Sequence, residues 1–533
     1  MISEKISEEY GDYLRDESRL TGSAEKIFFP ESEEEIRSLL GEGSGVPVTV
    51  QGARTGLTAG AVPRGGHILN LSRMNRVLGL SRDRRAGHYL LTVQPGLTLA
   101  ELREVLKMCS FDTRGWSEAS LKTLRELKQG EPVFFPPDPT ETSASLGGMT
   151  ACNASGARSF SYGPTRRYIQ GLRCVLADGS LITLERGGAQ AQGRQFTLQC
   201  AGGGPLSGRL PGYDPPRVKN AAGYYVTDDM ELIDLFIGSE GTLGIISEIT
   251  CLLVPAPKSM LAVTAFFPGV PEALGFVSTL RTTAAGGGAE AGILRPRALE
   301  FFDGRALRLL AASAQEDSFV SLPQLPAGSG SAVYAEYHPQ DPGQAEKVLE
   351  VFAGILERSG GDIDKTWIAD TGKDLEQLKD LRHAVPEAVN LLIDRRRRTC
   401  PELTKLGTDM AVPDDRLEWV VDLYQGDLEK AGVEYVMFGH VGDNHIHVNI
   451  LPRDAEDYEK GRELYEQWAR KIVAVGGSVS AEHGIGKLKV ALLEEMYGPG
   501  GLAEMRELRL FFDPHQRLNR GNLFVPAPSA PSP

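Results

Sequence analysis

The sequence predicts an α+β protein built from more than one domain, and three observations carry that reading. At 533 residues the chain exceeds what one hydrophobic core usually organises, so two or three domains are expected. Pro255 and Pro257 close a long β-rich run and punctuate the chain near its middle. From about Lys258, β runs (LAVTAFF, SAVYAEYH, KLGTDMAVP, EYVMFGHV, HIHVNILP) alternate with amphipathic helices (EKVLEVFAGILERSG, DRLEWVVDLYQGDLEKAG, YEKGRELYEQWARKIVAVG). That alternation predicts an antiparallel sheet with helices on one face.

The elements before the prolines follow in order. Residues 1–23 read as a polar lead-in, and PESEEEIRSLL as a helix opened by Pro30 and an acidic first turn. VPVTVQGARTGLTAGAVP is a β run ending in Gly52, Gly56 and Gly60 around Arg54, Thr55 and Thr58, which suits a diphosphate cradle. It is not GxGxxG and no helical pattern follows it. GEGSG at Gly41 reads as a turn. Ile68 to Leu71 and Tyr89 to Val93 read as strands, Gly96 opens a helix through LTLAELREVLKM, and residues 111–131 read as a charged helical excursion. GLRCVLADGSLITLER is a hairpin about Asp178-Gly179. Residues 187–212, glycine-rich and without period, read as a loop, and LIDLFIGSEGTLGIISEITCLLVPAP as two buried β runs about GSEGT. The tail PAPSAPSP has a disordered composition.

The stretch FPPDPTETSASLGGMTACNASGARSFSYGPTRRY organises this half. Its small residues cluster at Thr140 to Ser145, Gly147-Gly148 and Asn153 to Gly156, so backbone can approach a ligand beside short donors and acceptors. The alternative is a solvated Gly/Ser loop. Against it, Met149 to Cys152 read as a short buried segment, and the whole suits the grip of a phosphate-bearing cofactor.

The second constellation is GHVGDNHIHVNI with SAEHGIGK. His440, His445 and His447 are three of the nine histidines, and Glu482-His483 adds a fourth. His445, His447 and Asn449 alternate onto one strand face. Imidazoles with a carboxylate suit a divalent cation with open positions, whereas one isolated histidine would read as structural.

Composition excludes other classes. A net charge of −14 without a long basic run argues against nucleic-acid binding, and Arg395 to Arg398 read as a solvated face or an anion site. No apolar run approaches a membrane span, and the acidic start is unlike a secretion signal. The six cysteines lie apart without a CxxC pair, so neither an iron–sulfur cluster nor a cysteine zinc site is expected. A reduced, cytoplasmic setting is expected.

QGARTGLTAGAVP, PPDPTETSASLGGMTACNASG, SYG, GSEGTLGIISE, HVGDNHIHVN, SAEHGIG and FDPHQRLNRGNLF, in this order over nearly the whole chain, resemble the FAD-dependent D-2-hydroxyacid dehydrogenases of the vanillyl-alcohol-oxidase fold. These include D-lactate dehydrogenases, the glycolate oxidase flavoprotein subunit and D-2-hydroxyglutarate dehydrogenase. The resemblance implies a two-subdomain FAD-binding (PCMH-type) domain over 24–257, a cap domain over 258–508, and a segment from 509 to 533 that returns to the FAD domain. By motif, Gly52, Arg54, Thr55, Gly56 and Leu57 would serve the diphosphate. Pro137, Thr140, Gly147, Gly148, Asn153, Gly156 and Gly163 would line the cofactor. Glu240, Gly241, Thr242 and Ile246 would hold the adenine end, and Asn519 would approach the flavin. QGARTGLTAG lacks His and Cys, which implies non-covalent FAD. His440, His447 and Glu482 match residues that bind a divalent metal, often zinc, with manganese or iron as alternatives; His483 matches the base.

There are departures. HxGDGNxH has become HVGDNHIH, with Asn444 for Gly and His445 for Asn; Ala59 stands for the first glycine of a GG pair; LNPGK is LNRGN. Whether His445 joins the metal site stays open at this point.

Oxidising a 2-hydroxy acid needs a hydride acceptor, a base and a carboxylate anchor, supplied here by flavin N5, His483 and Arg382, with Lys405 as a second anchor candidate. Each of those two cations has an alternative as an exposed charge. The electrons would leave to a quinone, an electron-transfer flavoprotein or an iron–sulfur partner. Competing readings are an alkyl-dihydroxyacetone-phosphate synthase-like non-redox flavoenzyme and a scaffold or electron-transfer flavoprotein; the metal-type spacing favours the dehydrogenase.

Overall fold

The computed structural model describes residues 1–41, 45–83, 87–201, 204–286, 289–316 and 323–525. Most of the GEGSG turn and the terminal PAPSAPSP lie outside them. A four-stranded sheet opens the chain: β1 (Ile2–Lys5), β2 (Lys26–Phe29), β3 (Val48–Gln51) and β4 (His67–Asn70), in the order β1-β2-β4-β3. β2 and β3 run parallel to β4, and β1 pairs antiparallel to β2. The first residues are therefore not a detached lead-in. Ile6, Tyr10, Tyr13 and Leu14 pack on Ile27, Phe29 and Ile68, and that burial holds the segment down. The helix Glu33–Gly41 has three glutamates in its first turn and turns Ile36, Leu39 and Leu40 inward.

A second sheet of eight strands follows: β5 (Val77–Arg82), β6 (Tyr89–Val93), β7 (Val133–Phe134), β8 (Ile169–Val175), β9 (Leu181–Glu185), β10 (Gln195–Ala201), β11 (Pro205–Arg209) and β12 (Ile245–Pro255). Their order is β11-β10-β9-β8-β12-β6-β5, with β7 on the end of β12. The loop expected over 187–212 contains the β10–β11 hairpin instead. QFTLQ alternates, Phe196 and Leu198 being buried between exposed neighbours, and the flanking glycines hide that short period. LIDLF, expected as a β run, forms the helical turn Ile233–Phe236. The helix Leu99–Met108 starts on a Thr98–Glu101 capping box. The excursion helix Glu118–Gln129 packs Leu124 and Leu127 into the core.

The third sheet comprises β13 (Leu261–Phe267), β14 (Ala298–Asp303), β15 (Ser331–Tyr337), β16 (Trp367–Ala369), β17 (Leu406–Gly407), β18 (Tyr435–His440) and β19 (His445–Ile450). Its order is β16-β13-β15-β14-β18-β19-β17, every pair antiparallel. Helices cover both faces rather than one, because β13, β14 and β15 are buried at every residue. On one side Val263, Phe267 and Phe301 join Phe276 and Phe352 from the helices Val270–Ala285 and Pro342–Arg358. On the other, Phe266, Phe302 and Tyr334 join Leu310 and Leu378 from Gly304–Glu316 and Gly372–Arg397. KLGTDMAVP is strand only at Leu406–Gly407.

The chain then returns to the first sheet. Val48 N–H donates to Arg517 O (2.7 Å), and Asn519 bridges Val50 N–H (2.7 Å) and Glu240 O (2.7 Å).

Candidate active site

One cavity runs between the first two sheets and the returning segment. It is lined by Gly52, Arg54 to Leu57, Thr140, Gly147-Gly148, Glu240-Gly241, Ile246 and Asn519 among others, and also by Glu482 and His483. The backbone N–H groups of Arg54, Thr55, Gly56 and Leu57 have no acceptor among the described residues, and a Cβ on Gly56 would meet nothing within 4 Å. Consecutive unpaired amides beside open space form a nest for an anion such as a diphosphate. The Arg54 side chain lies over the Tyr13 ring at 4.2 Å. Lys487 sits behind the loop, its ammonium donating to Ala59 O (3.0 Å), Gly60 O (3.1 Å) and Asn522 Oδ1 (2.6 Å); burial first, then Arg64, pulls it down to about 7.

Five expected cofactor residues lie behind the cavity wall. Pro137 O accepts from Arg103, Asn153 takes a left-handed φ of 50° and accepts from Arg166 N–H, and Thr242 bonds Ser239 O and Tyr224. Gly156 lies against Asp138, where a Cβ would come within 1.8 Å of its carbonyl oxygen, and Gly163 ends the turn Ser159–Tyr162 with φ 80°. Each supports the wall through its own hydrogen bonds or backbone geometry. The Glu240 carboxylate is likewise engaged inward, accepting Ile485 N–H (2.7 Å) and Gly486 N–H (2.8 Å), although burial still pushes its pKa up.

At the Glu482 end stand four potential ligands. One atom each of His440, His445, His447 and Glu482 lies within 4.8 Å of the others. The antiparallel register sets His440 opposite His445 and Phe438 opposite His447, which collects the three rings on one sheet face. His447 Nδ1 lies 2.8 Å from Thr408 O, to which it donates, leaving Nε2 as the lone pair. His440 Nδ1 faces Glu300 at 2.8 Å and its Nε2 is 3.2 Å from Glu482 Oε2. Burial opposes charge on His440, but Glu300 and Glu482 outweigh it and push its pKa up to about 10. Lys219 and Ser155 hold Glu482 Oε1. Despite burial, His440 and Lys219 keep Glu482 well below the usual carboxylate range.

Asp409, fully buried, is the hub beneath. It accepts Glu482 N–H (3.1 Å), His483 N–H (3.0 Å), Ser480 Oγ (2.7 Å) and Lys489 Nζ (2.7 Å). His483 Nδ1 is 3.5 Å from Asp409 Oδ2, and burial lowers the ring to about 4, so it is neutral at pH 7. Asn444 occupies a left-handed position, φ 52°, which Asn tolerates in place of Gly. Sequence reading missed Asp409, Lys219 and Glu300. The one available signal was an acid inside the apolar run TDMAV.

Arg382 and Lys405 occupy different patches. Arg382 bonds Asp138 Oδ2 (3.2 Å), and its buried Nη1 has no partner among the described residues. Lys405 Nζ bonds Asn390 Oδ1 (2.8 Å), about two turns and roughly 12 Å further along the Arg382 helix, and burial lowers it to about 8. Neither is the exposed charge of the alternative reading: the Arg382 side chain is nearly buried and Lys405 is half-buried.

Residues 24–111 and 119–185 match the FAD binding domain, and residues 257–523, half the chain, match the C-terminal domain of FAD linked oxidases. A probable mitochondrial D-lactate dehydrogenase of Danio rerio is 30% identical over 98% of this chain and 88% of its own. The chain belongs to the FAD-dependent D-2-hydroxyacid dehydrogenases. D-lactate dehydrogenase of Anaerostipes hadrus is 27% identical over 98% of this chain and 94% of its own, and D-2-hydroxyglutarate dehydrogenase of Xanthomonas citri 28% over 97% and 92%. The structure of an alkyldihydroxyacetonephosphate synthase is similar at a TM-score of 0.59 and 17% identity, covering 94% of this chain and 76% of that one; this is a likeness of fold. As a member of this dehydrogenase family the chain is an FAD enzyme, and the cavity with its unpaired amides fits that cofactor. No helix among the described residues is long and apolar enough to cross a membrane.

Proposed function

We propose that this dehydrogenase oxidises a D-2-hydroxy acid of the lactate, glycolate or 2-hydroxyglutarate class to the 2-oxo acid. Its electrons pass to a separate acceptor: a quinone, an electron-transfer flavoprotein or an iron–sulfur protein. The observation that carries the reading is contiguity: Glu482 and His483 line the same cavity as the amides of Arg54 to Leu57. Bound there, FAD supplies a hydride acceptor. A divalent cation, zinc or alternatively manganese or iron, would supply Lewis acidity toward the substrate hydroxyl.

His440 Nε2, His447 Nε2 and Glu482 Oε2 are the atoms that would hold the ion. Glu300, Thr408 and Lys219 engage the opposite atoms of these side chains and so fix their orientation. His483 would take the hydroxyl proton; Asp409 faces its Nδ1 and leaves Nε2 for the substrate. The Nη1 of Arg382, unpaired among the described residues, suits a carboxylate, and Lys405, with no anionic partner in hydrogen-bonding reach among those residues, is the second candidate. FAD is held non-covalently in this reading. Cys152 lines the cavity, but burial pushes its thiol up to about 12, so it stays protonated and unreactive.

The test is anaerobic bleaching of the flavin absorbance by a panel of D- and L-2-hydroxy acids, with and without chelator. Chelator-sensitive bleaching by a D-acid is expected. No bleaching by any acid with zinc, manganese or iron supplied would overturn the redox assignment.

A further inference from the structure

His445 is the residue that the two-histidine, one-carboxylate set leaves over. It is 0% exposed, and its Nδ1 has no hydrogen-bond partner among the described residues. Nε2 stands 3.2 Å from Asp409 Oδ1 and faces that carboxylate. Leaving a buried polar atom unpaired is costly, so such an imidazole needs something else to meet its lone pair. Its surroundings say what. Its ring centroid is 4.2 Å from that of His447 and 5.4 Å from that of His440, and it contributes an atom to the same 4.8 Å ligand group. Strand alternation makes this unavoidable, since residues 445 and 447 share one face of β19 and 445 opposes His440 across the ladder.

We propose that His445 is a fourth protein ligand, through Nδ1 with Nε2 turned to Asp409, so that the site is a three-imidazole, one-carboxylate set. The inference rests on the metal reading above and deepens it. Asp409 then orients a ligand and the base together, since it faces both His445 and His483. Four protein ligands close a tetrahedral ion. A substrate chelating through its hydroxyl and one carboxylate oxygen requires six positions, which favours an ion at ease with octahedral coordination for turnover.

The experiment uses the FAD-loaded full chain, stripped by chelator and reloaded with one zinc per chain, with X-ray absorption at the zinc edge to count imidazoles. Three are expected in the native protein and two in His445→Asn, with a tenfold or greater loss of zinc affinity. Affinity alone does not decide, because a side chain acting behind the ligands can cost 10–100-fold. Two imidazoles in both proteins would overturn the inference while sparing the metal reading. A native protein that retains no zinc, manganese or iron would overturn both. The native count decides even where His445→Asn fails to fold, and the flavin spectrum reports that failure.

Discussion

The FAD half and the third sheet are joined by a buried ion pair, and cutting it has a calculable cost. Arg158, beside the organising Gly-rich stretch, meets Glu336 of β15 with two parallel bonds, Nε to Oε1 at 2.7 Å and Nη2 to Oε2 at 3.3 Å. Glu336 is fully buried and also faces His338 (2.9 Å) and Tyr334 (3.2 Å). Arg158→Met leaves that carboxylate without its counter-charge, which costs about 3–5 kcal/mol. Domains of this kind are stable by about 5–15 kcal/mol, so the loss is large. Burial raises the Glu336 pKa, but Arg158 and His338 more than compensate and hold it below the carboxylate range. A depressed carboxylate stabilises above its unfolded pKa and loses that contribution as pH falls through the folded one. In Arg158→Met only His338 and Arg382 still oppose burial, so the deficit against the native protein is greatest near pH 7 and narrows toward about pH 4. Urea unfolding of the FAD-loaded protein, followed by flavin fluorescence at both pH values, measures it. Arg158→Met/Glu336→Gln should be more stable than Arg158→Met alone. A deficit under about 1 kcal/mol at pH 7, or strict additivity in the double variant, would refute the reasoning.

Three further outcomes are expected. His447→Ala abolishes turnover while FAD stays bound, checked by steady-state assay and flavin absorbance; full turnover would remove the metal from the mechanism. Gly156→Ala, whose Cβ would lie 1.8 Å from the Asp138 carbonyl oxygen, should destabilise the fold, whereas Gly56→Ala meets no protein atom within 4 Å and should lower FAD affinity alone, as flavin titration and melting temperature will distinguish. Burial pushes Asp303 up to about 6 against its bond from Ala306 N–H, so its stabilising contribution is full below the unfolded value near 4 and lost as pH rises through 6. Asp303→Asn keeps the bond and should be more stable than the native protein by up to about 3 kcal/mol at pH 7.5, with no gain at pH 4, read by urea midpoints.

Legibility in the sequence followed the range of the forces involved. Local pattern located β6, β13 and the hairpin β8–β9 because short β-rich runs bounded by turn residues are set by neighbouring residues alone. It failed at β10–β11, where glycines interrupt the pattern, and on the second helical layer, which is read only from strands buried on both faces. In the site, residues that project from one hairpin were visible as a cluster: His440 on β18, His445 and His447 on β19. Glu300 and Lys219 reach it from distant segments without a local signature, and Asp409 showed only as an acid inside the apolar run TDMAV. The same limit explains Pro137, Asn153, Gly156, Gly163 and Thr242. Small and polar residues look alike in sequence whether they face a ligand or brace the wall behind it.

Asn519 ties Val50 to Glu240 across the whole length of the chain. During synthesis the amides of Arg54 to Leu57 leave the ribosome early, yet the span that fixes their strand is made only when residues near 519 follow. Flavin capture is therefore a late event in the life of the nascent chain, and a stop codon after Phe512 should yield a nearly full-length polypeptide that is colourless.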